Sequence, residues 1–419
     1  MPAKRRPQRG CCRVLRAPGA EVQRRVIRSA HLSPESRQAM NDPTLAPDVV
    51  QFREALRAFV EKEIKPNATR WDHGERYPTE LFKTVGDLGW LGTAFPEEVG
   101  GSGGGALHYA VMCAELARGS AAIALGIYVH TALAGGALLH LGTTEQKARL
   151  LPAMLRGEKI ACWAYAEAGA GADVSTVSTR ARRDGEDYVL NGAKLYITNS
   201  PFADIMIVVA ATVPELGMKG LSLFIVERAS KGLSVGAPLK KLGMGASEMA
   251  EIVFTDCRVP SRDRLGPEQG GLIAALKVLS LGRIASAAFG VGLGRAALEE
   301  AAAHTRQRVQ FGKPLVAQQF IRFTLADMAT RLEAAWQLTL HAARLVDSGL
   351  PFDQAASMAK LFASETGTWA CERCLHLCGA QGYMRESAAQ RLYRDCKVIE
   401  LGEGTSEIQR EMIARNLEK

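Results

Sequence analysis

Glu403 lies between Gly402 and Gly404, where the absence of side chains lets a bound molecule come close to the backbone. A carboxylate in such a place acts as a general base when its surroundings exclude water, because desolvation makes it more basic. On residue type alone the plainer reading, a solvated glutamate in a glycine turn, is the stronger of the two. Cys371, Cys374 and Cys378 follow an i, i+3, i+7 spacing, one face of a helix, which could suggest metal ligation. His376 lies among them, but no fourth cysteine or histidine is placed like a zinc partner. Small buried hydrophobes are the better account, and no metal site is expected.

Two glycine-rich stretches invite a phosphate reading and fail it. The cluster Gly100 to Gly105 lacks the Gly-Lys-Ser/Thr ending of a phosphate loop and reads as a connection. Gly290, Gly292 and Gly294 resemble part of a dinucleotide fingerprint, but no strand precedes them, so they read as close helix packing.

These residues sit in a chain whose texture changes twice. Residues 46–159 read as helical: Val49, Phe52, Leu56, Phe59, Val60 and Ile64 recur at helical spacing, with Pro66 expected to stop that helix. Glu80 to Trp90 repeats the pattern. Residues 160–268 carry short β-rich runs, at Asp187 to Leu190, Lys194 to Thr198, Ile205 to Ala211, Leu221 to Val226 and Glu251 to Phe254. Asn191-Gly192 predicts a hairpin turn between the first two, and the set predicts a small β-barrel or sandwich. From 269 to 419 long helices return, with Leu325, Met328, Leu332, Ala335 and Trp336 on one face. The short connection near Gly349-Leu350-Pro351 predicts antiparallel neighbours, hence a four-helix bundle. The fold class is α+β multidomain, with an all-α N-terminal domain, a central β-domain and a helical C-terminal bundle.

The 419 residues, 47% apolar, suffice for several cores. The net charge of +8 points to an acidic partner only until it is located. Residues 1–39 hold ten Lys/Arg against two acids, leaving 42 bases and 42 acids in 40–419. The body is neutral, so nucleic-acid binding loses its support. Residues 1–45 form a basic tail that reads as a transit peptide, a disordered arm or a start placed too early. The last is favoured, since Met40 soon leads into an amphipathic helix. No run of eighteen apolar residues appears, so no membrane-spanning helix is expected. Nine scattered cysteines suggest free thiols in a reducing compartment. Cytoplasmic placement follows, or the mitochondrial matrix if the tail is a transit peptide.

Four motifs, in order, resemble the acyl-CoA dehydrogenase family. Residues 164–173, AYAEAGAGAD, look like its flavin loop, and 191–199, NGAKLYITN, like its hairpin beside the isoalloxazine. Residues 308–319, RVQFGKPLVAQQ, resemble its flavin-contacting segment at the subunit interface. Residues 391–410, RLYRDCKVIELGEGTSEIQR, resemble its end, where a glutamate before Gly-Thr is the base. FPEEVGG at 95–101 and LGTTEQK at 141–147 extend the likeness over about residues 46 to 415.

The resemblance implies FAD and makes Glu403 the base that takes an α-proton as hydride leaves the β-carbon. Some relatives place the base near Arg283 instead, but no carboxylate stands between Lys277 and Ala287 here. Trp163, Tyr165, Ala166, Tyr196 and Thr198 then match contacts around the flavin ring. Arg308, whose forked guanidinium suits a pyrophosphate, joins Gln310, Phe311 and Gln319 in reaching the adjacent subunit's cofactor. His376, Gly379 and Ala380 fall in a further flavin segment, and Thr405 and Glu407 match contacts to its phosphate and sugar. Ala172, Arg283, Gly402 and Gly404 are implied to face substrate. A homotetramer follows, with an acyl-CoA or acyl-carrier-protein thioester as substrate and an electron-transfer flavoprotein as acceptor. Alternatives are an oxidase that returns electrons to oxygen, and a flavin- or acyl-binding protein without turnover.

The chain departs from the family where Ala166 replaces threonine, Ala172 serine, Tyr196 tryptophan, and His376 and Ala380 glutamine and glycine. Gly245 stands where arginine is usual, and Ser280 where aspartate is common. Together they hint at an unusual acyl group or a carrier-bound thioester. Many relatives with this base also carry a bulky residue where Gly402 stands.

Overall fold

The computed structural model describes residues 45–278 and 281–418; the basic segment, Met40 and Ser280 lie outside them. Pro47–Phe59 forms the first helix among the described residues and buries Val49, Leu56 and Phe59. Pro66 does not end the helical course. A π turn at Val60–Ile64 widens the helix, Lys65–Asn67 tightens it, and Ala68–Gly74 resumes. Proline is tolerated there because the first turn of a helix leaves its N–H groups without intrahelical partners.

Glu80–Asp87, Gly105–Gly119 and Thr144–Leu155 continue the domain, around a helical stretch from Ala121 to Leu141. That stretch is long and apolar enough to cross a membrane by length and composition, contrary to the expectation that nothing here would be. Its most apolar window is 78% buried inside the protein, which makes it a core helix. Within it, His130 accepts the Ala161 N–H at Nδ1 (3.0 Å) and donates from Nε2 to the Met154 carbonyl (3.0 Å). Burial pushes this imidazole down to about 4, so it stays neutral and pins the helix to the first strand.

The strands are β1 Ala161–Ala164, β2 Arg180–Asp184, β3 Asp187–Thr198, β4 Ile205–Ala211, β5 Leu221–Glu227, β6 Leu233–Val235, β7 Met249–Pro260 and β8 Arg264–Leu265. They form one mixed sheet in the order β6-β7-β3-β2-β4-β5-β8, with β1 added parallel to β4. All of β4 is buried because both faces are covered. Met206, Val208 and Ala210 join a core internal to the β-domain, while Ile205, Ile207, Val209 and Ala211 join the large core shared with the helices.

Asn191-Gly192 is not a turn. It lies inside the continuous β3, and the hairpin is made at Gly185-Glu186 between β2 and β3. Gly192 sits at a bulge, with a register shift between Leu190 and Gly192. A Cβ there would stand 2.7 Å from Thr179 Cα, so only glycine fits. Asn191 spends its amide across the sheet on Asp256 instead, at 2.9 and 3.1 Å.

Leu281–Gln307, Gln319–Asp347 and Asp353–Gly382 are the long helices of the C-terminal domain, and Ser406–Leu417 packs against the last of them. Close packing at the glycines is borne out. A Cβ on Gly290 would be 2.4 Å from the Ala363 carbonyl, on Gly292 2.3 Å from that of Ala114, and on Gly294 2.2 Å from Leu332. Met328, Leu332, Ala335 and Trp336 are buried on one face as the spacing predicts. Cys371, Cys374 and Cys378 are buried free thiols.

Candidate active site

Glu403 has φ +56°, in the left-handed region that ordinary residues avoid, and Gly404 follows at +81°. Such a conformation costs about 1–3 kcal/mol and persists only where neighbours enforce it. Lys360, Gln409 and Thr405 enforce it. Lys360, fully buried on Asp353–Gly382, donates from Nζ to the Gly404 carbonyl at 2.7 Å. Gln409 Nε2 donates to the carbonyls of Glu403 and Gly404, each at 3.1 Å. Thr405 caps the helix Ser406–Leu417, accepting the Ile408 N–H.

The Glu403 side chain points inward at Gly282: a Cβ built there would lie 2.9 Å from Oε2. Burial raises the carboxyl's pKa, against the opposing pull of Tyr128, Lys360 and Arg283. A carboxylate with raised basicity on a strained backbone is equipped to take a proton from a weak carbon acid.

Arg283 is engaged elsewhere at its tip, bonding Asp353 Oδ1 at 2.7 Å and Ser357 Oγ at 2.8 Å, and reaches Glu403 only as a nearby charge. It therefore has a packing role between helices whatever it does for substrate. Gly245 is glycine for a local reason. A Cβ would stand 2.5 Å from Asp72 Oδ1 and from the Asp72 carbonyl, and Arg394 pairs with Asp72 from elsewhere, at 2.5 Å.

A second group of expected residues assembles along β1 and β3. The Leu195 N–H donates to the Ala166 carbonyl at 2.9 Å, and the buried Lys194 donates to Tyr165 O at 3.1 Å and Glu167 Oε1 at 2.7 Å. Burial pushes the Glu167 carboxyl up, but Lys194, Ser178 and Thr179 outweigh it and hold it at about 2. These bonds lay the segment Trp163 to Glu167 beside Tyr196 and Thr198. Tyr196 holds its ring 60% exposed from a backbone at φ +62°. Asn199 joins this wall to the other half of the site by donating to the Gly126 carbonyl at 2.9 Å, on the helix that carries Tyr128. Ala172 lies on an exposed loop beyond the wall.

The remaining expected residues are not brought to Glu403 within one chain. Arg308, Gln310, Phe311 and Gln319 occupy an exposed two-stranded turn, Val309–Gln310 with Lys313–Pro314, and its flank. Phe311 is 93% exposed at φ +53°. His376, Gly379 and Ala380 are exposed near the end of Asp353–Gly382, where Gly379 leaves helical geometry at φ +57°. Glu407 is exposed. Sequence reasoning passed over Tyr128, Gly282, Lys360 and Gln409. Lys360 alone carried a signal, a cation on the helix face that Ala356 and Ala363 bury.

The acyl-CoA dehydrogenase N-terminal, middle and C-terminal domain families match residues 46–158, 162–257 and 269–418. This chain belongs to the acyl-CoA dehydrogenase family. An acyl-CoA dehydrogenase of Bacillus subtilis (strain 168) is 40% identical over 368 residues, 88% of this chain and 97% of that protein. The mitochondrial short-chain specific acyl-CoA dehydrogenase of Rattus norvegicus is 40% identical over 366 residues, covering 87% and 89%. The structure of butyryl-CoA dehydrogenase from Megasphaera elsdenii superimposes with a TM-score of 0.87 at 36% identity, covering 90% of this chain and 99% of that one.

As a member of the family, this acyl-CoA dehydrogenase is an FAD-dependent oxidoreductase acting on the CH–CH bond of an acyl thioester. The residues present fit that cofactor. Tyr196 holds an exposed aromatic ring beside the Trp163–Glu167 segment, a surface on which a planar ring system can stack.

Proposed function

We propose that Glu403 is the base that removes the α-proton of an acyl thioester, and that its strained, desolvated carboxylate is the observation that carries the assignment. FAD, when bound, supplies the acceptor for the hydride leaving the β-carbon. Trp163, Tyr165, Ala166, Tyr196 and Thr198 form the wall against which its ring lies, and Thr405 and Glu407 face its phosphate and sugar. Gly402 and Gly404 leave room for the thioester beside the base, with Ala172 and Arg283 at the edges of the substrate path. Anaerobic titration with a panel of acyl-CoAs, following flavin absorbance, tests the reading. Bleaching by a subset identifies the acyl class, and no bleaching by any thioester would leave a binding protein.

Arg308, Gln310, Phe311, Gln319, His376, Gly379 and Ala380 serve the cofactor of a neighbouring subunit in a homotetramer. The support is that they are exposed in one chain and removed from Glu403, while Phe311 leaves a large apolar ring in solvent. Arg308→Ala is expected to lower flavin content and weaken the oligomer together, checked by absorbance ratio and light scattering. A tetramer with full flavin would show the residue to be misplaced.

Electrons pass onward to an electron-transfer flavoprotein, and the buried free thiols suit a reducing compartment, cytoplasm or matrix. The acyl pocket is roomy at the base. A Cβ on Gly402 would meet nothing nearer than the Val398 carbonyl at 3.4 Å, so a side chain fits there and its absence leaves space. Gly402→Tyr is expected to depress turnover of branched or ring-bearing acyl-CoAs far more than that of straight short ones. Equal losses on both would remove the inference.

A further inference from the structure

Tyr128 is 1% exposed, and its hydroxyl has no hydrogen-bond partner of normal geometry among the described residues. A buried hydroxyl is costly unless a neighbour satisfies it, and the neighbour that interacts with this one is the Glu403 carboxylate. Its ring is fixed edge-on against Phe289, with centroids 5.5 Å apart and planes at 86°. The hydroxyl is aimed at the base. A Cβ built on Gly282 would stand 2.5 Å from Tyr128 Oη and 2.9 Å from Glu403 Oε2, so both groups converge on the gap that glycine leaves. Any larger residue at 282 would wedge them apart.

We infer that Tyr128 is a positioning residue for Glu403: its hydroxyl donates to the ionised carboxylate and holds it in the orientation that meets the α-proton. The inference rests on the assignment of Glu403 as base. Burial keeps the tyrosine hydroxyl well above its ordinary pKa, so it remains a donor throughout the working range. Its proton cannot serve as a reservoir for the reaction. The α-proton moves from carbon to a Glu403 oxygen, while the Tyr128 O–H bond stays intact and its hydrogen bond weakens as the carboxylate is neutralised.

Among the described residues, the other charged groups facing Glu403 are Lys360 and Arg283, both of which favour its ionised form. Lys360 faces Glu400, Glu365 and Glu407 as well, and Arg283 is tied to Asp353. Among the described residues that act on Glu403, Tyr128 is the neutral donor, which makes its contribution separable.

The test is stopped-flow flavin reduction of the holoenzyme by butyryl-CoA across pH. In wild type the rate rises with pH as Glu403 ionises. In Tyr128→Phe, loss of a hydrogen bond to a charged acceptor is expected to move that acid limb upward by on the order of one to two pH units. The rate regains the wild-type plateau at high pH, where Glu403 is ionised without help. An acid limb that does not move, or a uniform loss at every pH, would overturn the inference. Should Tyr128→Phe fail to fold, 3-fluorotyrosine placed at 128 is nearly isosteric and a stronger donor. It should move the limb the opposite way, and an unmoved limb again refutes the role. A wild-type flavin that no acyl-CoA in the panel bleaches would defeat the base assignment as well, so the two failures are distinct.

Discussion

Glu403→Gln is expected to leave the flavin oxidised when a thioester substrate is added anaerobically. Glutamine preserves shape and can hydrogen-bond, but it cannot accept the α-proton, and the hydride cannot depart while that proton stays. Removing a general base typically lowers the rate by about 10²- to 10⁴-fold. The upper end is expected here because Glu400 spends its carboxylate on Lys397, at 2.5 Å, and the helix from Leu281 carries no carboxylate near Gly282. Binding should survive, seen as a substrate-induced spectral shift without bleaching. Near-normal reduction in the variant would place the base elsewhere.

The largest expected effect on stability lies far from the chemistry, at Glu115. It is 1% exposed and accepts from Arg53 at 3.0 Å, Arg57 at 3.2 Å and Arg118 at 3.0 Å. Arg118 in turn donates to Glu61 at 2.7 Å and Glu299 at 3.0 Å. The network joins Pro47–Phe59 and Gly105–Gly119 to the C-terminal helix Leu281–Gln307, across two domains. Burial pushes the Glu115 carboxyl up, but Arg118, Arg57 and Arg53 overcome this and hold it well below the usual carboxylate range.

Glu115→Ala leaves the buried Arg53 and Arg118 without that counter-charge. Breaking a buried pair by removing one partner costs about 3–5 kcal/mol, to be read as a fall in Tm with flavin reduction intact at low temperature. An unchanged Tm would show that the arginines relax into water. Because the folded pKa is depressed, the stabilisation is present above the ordinary carboxylate range and is lost as pH falls below it.

Much of the architecture was legible because periodicity is a local property. Helical spacing located Pro47–Phe59 and the buried face of Gln319–Asp347, and the Gly290 series announced close helix contact by composition alone. Glu403 was legible only through its motif, since a glutamate between glycines is ordinarily a solvated turn. Asn191-Gly192 misled because the same dipeptide that favours a hairpin also suits a bulge. What selected the bulge was Thr179 packed against Gly192 and Asp256 bonded to Asn191, neither of them a sequence neighbour. The apolar stretch from Ala121 to Leu141 carries no mark that separates a core helix from a membrane span. Only the elements packed round it decide.

The sequence by itself determined the order of helices and strands and the family, and its motif singled out Glu403, the glutamate before Gly404-Thr405, as the candidate base. The tertiary structure decided what equips that glutamate for the proposed role of base. The groups that hold its left-handed backbone, Lys360 and Gln409, and the hydroxyl of Tyr128 lie 43, 6 and 275 residues away in the chain. Electrostatic environment depends on distances through space, and a linear pattern carries no record of which distant side chains will share a cavity.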